Sequence, residues 1–206
     1  MVGYKNGFVC FLFLAFVTFS CFQKTADSGK KNINKKVNFC SLDSAKNFPL
    51  DVKELVLRGR RLDDFPNEIF NFKNLEYLDL SMNLIDSIPN EIKVLKKLKF
   101  LAMAYGTVRS IPTTISELKN LEELILLENS IQQLPDSICN LQKLQNLNLI
   151  GNELSTLPQC LCSLESLKMI GLSYHKKSRH ISKEEINKLK TCLNDVVVVY
   201  REMESN

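Results

Sequence analysis

The chain has 206 residues, with 27 basic and 23 acidic side chains and a formal net charge of +4. Such a mild charge, spread along the chain, does not indicate a nucleic-acid-binding protein. The length suits one domain, and the sequence contains no Gly-rich phosphate loop, no G-x-S-x-G and no H-E-x-x-H motif. We therefore expect a protein that is not an enzyme and needs no cofactor.

Residues 1–20 predict a secretory signal peptide. Lys5 lies in a short positive start, and an almost wholly apolar run follows from Phe8 to Phe19. A charged start, a short apolar core and a small residue before the cleavage point are typical of such signals. The run is short for a membrane-spanning helix, which needs about 20 apolar residues. We expect export, with a retained N-terminal anchor as the alternative.

Cys21 resembles the lipidated cysteine of a bacterial lipobox. It follows the small residue Ser20 at the end of the apolar run, although Thr18 and Phe19 depart from the usual box. The resemblance implies a lipid on Cys21 that anchors the protein to a membrane. The alternative is ordinary cleavage after Ser20, which would leave Cys21 unmodified.

Residues 21–38 are polar and Lys-rich, without an apolar period, and we interpret them as a tether. Residues 39–50 precede the first repeat and are expected to form an N-terminal cap. A cap is needed because the end coil of a repeat stack otherwise exposes an apolar edge.

Five prolines, each 23 residues after the last, organise the rest of the chain: Pro66, Pro89, Pro112, Pro135 and Pro158. Around each one the same apolar skeleton recurs. The copies span residues 51–190 and begin at residues 51, 74, 97, 120 and 143, with a sixth, decaying copy from residue 166. A fixed period of this size predicts a stack of structural repeats.

The copy from Asn120 to Gln142 shows what one repeat contains. Leu124 and Leu126 alternate with other residues, which predicts a short strand with one buried face. Ile138 and Leu141 follow a proline at a spacing of three, which suits a helical or 3₁₀ turn. Between them lies an asparagine that is expected to hydrogen-bond the backbone of neighbouring coils, at Asn83, Asn129 and Asn152.

These copies resemble the 23-residue leucine-rich repeat, LxxLxLxxNxLxxLPxxIxxLxx, of many bacterial proteins and of the Ras-group proteins of plants and animals. The resemblance implies an α/β repeat solenoid, a right-handed horseshoe with a concave parallel β-sheet and short helical or 3₁₀ turns on its convex side. With the signal and Cys21, the chain is similar to exported leucine-rich-repeat lipoproteins of spirochaetes such as Leptospira. That similarity implies an outer-membrane or cell-surface lipoprotein, or a secreted protein.

The outer face of the strands is the candidate binding surface. Leucines at repeat positions 5 and 7 face the core, so positions 4, 6 and 8 face outward and position 9 lies at the rim. In the second to fifth copies these positions hold an apolar and aromatic band: Tyr77, Met82, Phe100, Tyr105, Ile125, Leu127 and Ile150. Contiguous exposed apolar residues usually mark an interaction site.

We therefore expect the band to bind a protein partner; the resemblance to exported leucine-rich-repeat lipoproteins implies that this partner is on a host or a cell surface. The alternative for the band is that a strand tolerates such residues singly. The alternative for the whole protein is an intracellular scaffold that binds small GTPases, as the Ras-group resemblance suggests.

The C-terminal residues depart from the repeat. Ser182 and Glu185 have the spacing of a capping box, which predicts a helix from Lys183 to about Leu193. The run from Val196 to Tyr200 predicts a final strand. Residues 191–206 are expected to form the C-terminal cap and tail.

The cysteines predict disulfides and no metal site. Cys139 and Cys162 occupy the same slot in adjacent copies, so stacking should bring them near each other. Cys160 and Cys192 are a second candidate pair at the C-terminal cap. An exported context favours disulfides, and four zinc ligands at standard spacing are absent.

Overall fold

In the computed structural model, eight parallel strands form one sheet in chain order. The structure describes residues 38–175, 181–193 and 195–203, so the predicted signal, Cys21 and most of the tether lie outside the described residues. The strands are β1 Asn38–Phe39, β2 Glu54–Val56, β3 Tyr77–Asp79, β4 Phe100–Ala102, β5 Glu123–Ile125, β6 Asn146–Asn148, β7 Met169–His175 and β8 Val197–Met203.

The register of the strands follows the sequence period. Tyr77 pairs with Phe100, and Phe100 pairs with Glu123, each one repeat further along the chain. Residues at the same repeat position therefore form straight rows across the sheet. The predicted solenoid, with a concave parallel sheet, is confirmed.

A 3₁₀ helix follows each of the five prolines on the convex side: Asn67–Asn71, Asn90–Val94, Thr113–Glu117, Asp136–Asn140 and Gln159–Ser163. Proline suits the residue before a helical turn because its φ is fixed and it has no N–H to leave unpaired. In the second repeat the Ile92 amide donates to the Pro89 carbonyl at 3.1 Å. The predicted turns are confirmed as 3₁₀ helices.

Leucine and isoleucine side chains fill the space between the sheet and the 3₁₀ helices. Leu124 and Leu126 are fully buried, as their alternation predicted. Ile138 and Leu141, on the opposite, convex side, are also fully buried in this core. No single coil encloses this core, so each repeat depends on its neighbours.

The predicted asparagine ladder is present on the inner side of the coils. The Asn129 amide nitrogen donates to the carbonyls of Met103 and Leu126, at 2.7 and 3.0 Å. Its oxygen accepts from the Val108 amide at 2.9 Å. Asn83 and Asn152 make equivalent bonds. Each side chain thereby ties its own turn to the preceding coil.

Both ends of the solenoid are covered. At the N-terminal end, α1 (Leu42–Lys46) follows β1. At the C-terminal end, α2 (Lys183–Cys192) begins with the predicted capping box: the Ser182 hydroxyl accepts from the Glu185 amide, and the Glu185 carboxylate accepts from the Ser182 amide. Beyond α2, β8 extends the sheet by one strand.

Two disulfides join neighbouring elements near the C-terminal end, with a pairing that differs from the predicted one. Cys139 bonds to Cys160, and Cys162 bonds to Cys192. Cys139 and Cys162 do share a slot, but Cys139 is buried whereas Cys162 is exposed beside α2. Since α2 lies against the 3₁₀ helix Gln159–Ser163, Cys162 meets Cys192 there. Cys160 bonds to Cys139 in the preceding coil.

Leu126→Ala should lower the free energy of unfolding by about 2–5 kcal/mol, because it leaves a cavity between packed coils. Leu84→Ala is the matched control: the same atoms are removed from a side chain that is 55% exposed, so the loss should be about 1 kcal/mol or less. Chemical denaturation measures both values. Equal losses would contradict the register described above.

Replacing Cys162 and Cys192 by serine should destabilise the protein by about 3–4 kcal/mol, because that bond closes a 30-residue loop in the unfolded chain. Peptide mapping of the unreduced protein should recover Cys162 linked to Cys192. A Cys139–Cys162 peptide would instead restore the pairing predicted from the sequence.

Candidate functional site

The concave face carries an aromatic pair at its N-terminal half. Tyr77 and Phe100 occupy position 4 of adjacent repeats, and their rings stack with centroids 4.2 Å apart and planes 6° from parallel. Both side chains are half-buried, so their outer edges face solvent. The structure therefore brings these two predicted site residues together.

Acidic side chains surround the aromatic pair. Burial raises the pKa of the Tyr77 phenol well above its usual value, and the nearby carboxylates of Asp79, Glu54 and Glu123 raise it further. Arg58 has the opposite, smaller effect. The phenol is thus protonated at physiological pH, with three carboxylates and one guanidinium near it.

Position 9, at the rim, takes the left-handed backbone conformation in five repeats. Gly59 and Gly151 have φ values of 65° and 74°, as glycine readily allows. Met82, Tyr105 and Glu128 adopt the same conformation, with φ values of 60°, 55° and 54°. For a residue with a side chain this costs about 1–2 kcal/mol. Sequence reasoning placed these residues at the rim but did not foresee the strain.

Met82 and Tyr105 are exposed despite that strain. Their exposed fractions are 52% and 39%, and the Arg58 guanidinium donates to the Met82 sulfur at 3.2 Å. Leu84, two residues after Met82, is also exposed and extends the apolar surface beyond the rim. Sequence reasoning missed Leu84 because its repeat position lies outside the strand.

Leu127 and Ile150 are buried, which corrects the prediction that they belong to an exposed band. Their exposed fractions are 4% and 7%. They form a small cluster with Ala104, against which Ile125 and Val199 pack. Val199 belongs to β8 and pairs with Gly171 of β7. Because Gly171 has no side chain, nothing on β7 separates Val199 from Ile150 at this point. The final strand therefore packs against this cluster, a contact that the repeat pattern does not reveal.

An ion pair crosses the same part of the face. The Arg201 guanidinium of β8 lies 2.7 Å from a carboxylate oxygen of Glu128, which sits at the rim of the fourth repeat. A Cβ at Gly151 would lie 2.5 Å from the Glu128 carboxyl carbon, so this carboxylate would have to shift if another residue stood there. We call the five predicted residues that are not fully buried the concave band: Tyr77, Met82, Phe100, Tyr105 and Ile125.

Neither a metal centre nor a membrane span is found among the described residues. Within residues 38–175, 181–193 and 195–203, no three His, Cys, Asp or Glu side chains are grouped to hold a metal ion. In the same ranges, no helix is both long and apolar enough to cross a membrane.

Comparison with family models matches the leucine rich repeat over residues 51–105 and 112–176, more than half of the chain. Comparison with curated proteins found no match. Among solved structures, a leucine-rich-repeat protein of Leptospira interrogans is 22% identical with a TM-score of 0.53, over 82% of this chain and 54% of that protein.

Two other solved structures share the fold. An internalin of Listeria monocytogenes is 16% identical with a TM-score of 0.55, over 82% of this chain and 54% of the internalin. The ectodomain of the plant receptor kinase GASSHO1/SCHENGEN3 from Arabidopsis thaliana, in complex with CASPARIAN STRIP INTEGRITY FACTOR 2, is 22% identical with a TM-score of 0.59. That match covers 79% of this chain and 20% of the ectodomain.

The chain thus spans about half the length of the two bacterial proteins and a fifth of the plant ectodomain. The fold, its 23-residue period and the bacterial likeness agree with the resemblance seen in the sequence. This chain belongs to the leucine-rich-repeat family.

Proposed function

We propose that this protein is an exported, non-catalytic module that holds a protein partner on its concave band. Leucine-rich repeats commonly form protein-binding modules, and the plant ectodomain above is itself in a complex with a protein. The observation that carries the proposal is the pair of exposed side chains held at strained rim positions, Met82 and Tyr105.

Stability alone would favour glycine at these rim positions. Glycine occupies the same rim position in two other repeats, where it avoids the strain. Met82 and Tyr105 instead carry large apolar side chains that leave 52% and 39% of their surface in water. Backbone strain that is not repaid by burial is characteristic of functional sites. A partner that buries these side chains would repay it.

The disulfides support an exported location. Two bonds among the described residues, Cys139–Cys160 and Cys162–Cys192, fit an oxidising compartment, because cytosolic thiols are kept reduced. This favours the exported module over the intracellular scaffold that binds small GTPases. A partner on a host or cell surface follows from that location.

Tyr105→Gly separates stability from binding. It should leave the free energy of unfolding unchanged or raise it by up to about 1 kcal/mol, because glycine relieves the left-handed backbone. It should weaken binding of a co-purified partner by about 2 kcal/mol or more, the range of interface hot spots. Phe100→Ala should weaken binding similarly. Denaturation and calorimetry measure the two quantities.

The matched control is Glu91→Ala, on the convex 3₁₀ helix Asn90–Val94, which should leave binding unchanged. Binding that survives Phe100→Ala and Tyr105→Gly but is lost with Glu91→Ala would place the interface on the convex side. That outcome would end the concave-band proposal.

We also propose that Cys21 carries the lipid that its sequence context implies. The mature protein should then partition into detergent and incorporate labelled palmitate, and Cys21→Ala should abolish the label. Disulfide mapping of the mature protein provides a second readout. A Cys21–Cys40 bond in the mature protein would contradict lipidation, because a lipidated cysteine has no thiol left to oxidise.

A further inference from the structure

A hollow of about 250 Å³ lies on the concave sheet immediately beyond the concave band. It is formed by positions 3 and 4 of the last three repeats: Glu122, Glu123, Gln145, Asn146, Lys168 and Met169. Asn146 is shorter than Glu123 and Met169, its neighbours in the same row, which leaves the depression between them. Its size suits one long side chain, since sites for whole small molecules are about 300–1,000 Å³.

Basic residues lie near the carboxylates of the hollow: Lys168 lines it, and the charge of Glu122 contributes to the raised pKa of Lys99. Among the described residues, neither Glu122 nor Glu123 forms a salt bridge. The nearby Lys99 pairs with Glu76: its ammonium lies 2.7 Å from the Glu76 carboxylate. This hydrogen bond is the main reason why the pKa of Lys99 is raised. Lys168 donates to the Gln145 amide oxygen at 2.7 Å. The hollow therefore has two carboxylates and one ammonium, in a chain whose net charge is +4.

The hydrogen bonds inside the hollow are long. Glu122 accepts from the Gln145 amide at 3.3 Å, and Glu123 accepts from the Asn146 amide at 3.5 Å. Near the limit of hydrogen-bond geometry, such contacts are weak and easily replaced. The Asn146 side-chain oxygen is buried and finds no donor among the described residues. These side chains thus have acceptor capacity that the protein itself does not use.

A cationic side chain would supply what is missing. An ammonium or guanidinium group gives short, charge-assisted hydrogen bonds to carboxylates, stronger than those of neutral amides. Once Glu123 accepts from such a group, the Asn146 amide is free to rotate and offer its oxygen as well. Guanidinium has five N–H donors, enough for both carboxylates and one amide oxygen.

We propose that this hollow binds a lysine or arginine side chain of the protein partner, so that the partner presents a basic segment. The inference rests on the proposed concave-band function. It also follows from continuity: Glu123 pairs in register with Phe100 of the band, one strand away. A chain lying on Tyr77 and Phe100 reaches the hollow by extending across the next strand.

A random 12-residue peptide library, selected on the full mature protein, tests the proposal without knowledge of the partner. The recovered peptides should be enriched in lysine and arginine. Glu123→Gln should weaken the selected peptides about tenfold or more, the loss of one charge-assisted hydrogen bond. Lys168→Gln should strengthen them, because it removes a like charge from the hollow.

Glu91→Gln is the matched control, since it removes the same charge from the convex side and should change affinity less than about twofold. Equal losses for Glu91→Gln and Glu123→Gln would mean that only net charge matters, which overturns the site. Enrichment in acidic peptides whose binding is weakened by Lys168→Gln would mean that the hollow binds an anionic group, which also overturns the proposal. Failure to enrich any basic peptide also overturns the proposal.

Phe100→Ala distinguishes failure of the hollow from failure of the concave band. If peptides lose affinity with Phe100→Ala but not with Glu123→Gln, the concave band remains the interface and the proposal of a basic side chain in the hollow is wrong. Peptides unaffected by Phe100→Ala would show that the band is not the interface. Thermal unfolding of each variant confirms that the stack is intact.

Discussion

The parallel register between successive strands is the constraint on which the rest of the structure depends. Each coil must place Leu101, Leu124 and Leu147 directly over one another, because none of these side chains is buried by its own coil. A slip of one residue would turn every leucine toward solvent. The proline before each 3₁₀ helix and the asparagine ladder keep the coils equal in length. Asn129, for example, bonds backbone groups on both its own and the preceding coil.

The same register determines what the concave surface can do. Since equivalent positions lie about 4.8 Å apart in neighbouring strands, outward side chains come in rows whose chemistry does not affect the core. Tyr77 and Phe100 stack because they are consecutive members of such a row, and Glu123 is the next member. The surface can thus vary while the stack remains stable. The rim shows a conflict, because Met82, Tyr105 and Glu128 keep side chains in a conformation that suits glycine.

The C-terminal end reduces how much of this surface is exposed to solvent. β8 continues the sheet, and its Val199 packs with the apolar cluster of Ala104, Leu127 and Ile150. Arg201 crosses the face to Glu128, and Gly151 leaves the space that this ion pair needs. The Cys162–Cys192 bond attaches α2 to the last 3₁₀ helix. The concave band therefore lies in the second to fourth repeats, away from the cluster that β8 contacts.

The sequence by itself determined the features that lie within one 23-residue period. Leu124 and Leu126 indicated the strand, Pro135 the turn after it, and Asn129 the backbone bonds between coils; repetition then implied the parallel register. The capping box at Ser182 and Glu185 was also readable, because its residues are three apart. Only the tertiary structure decided the burial of Leu127 and Ile150, the disulfide pairing, the left-handed rim and the hollow beside Glu123. The burial, the disulfides and the hollow depend on contacts between residues many positions apart. The left-handed rim recurs in five repeats, but Met82, Tyr105 and Glu128 stand where glycine would have indicated it.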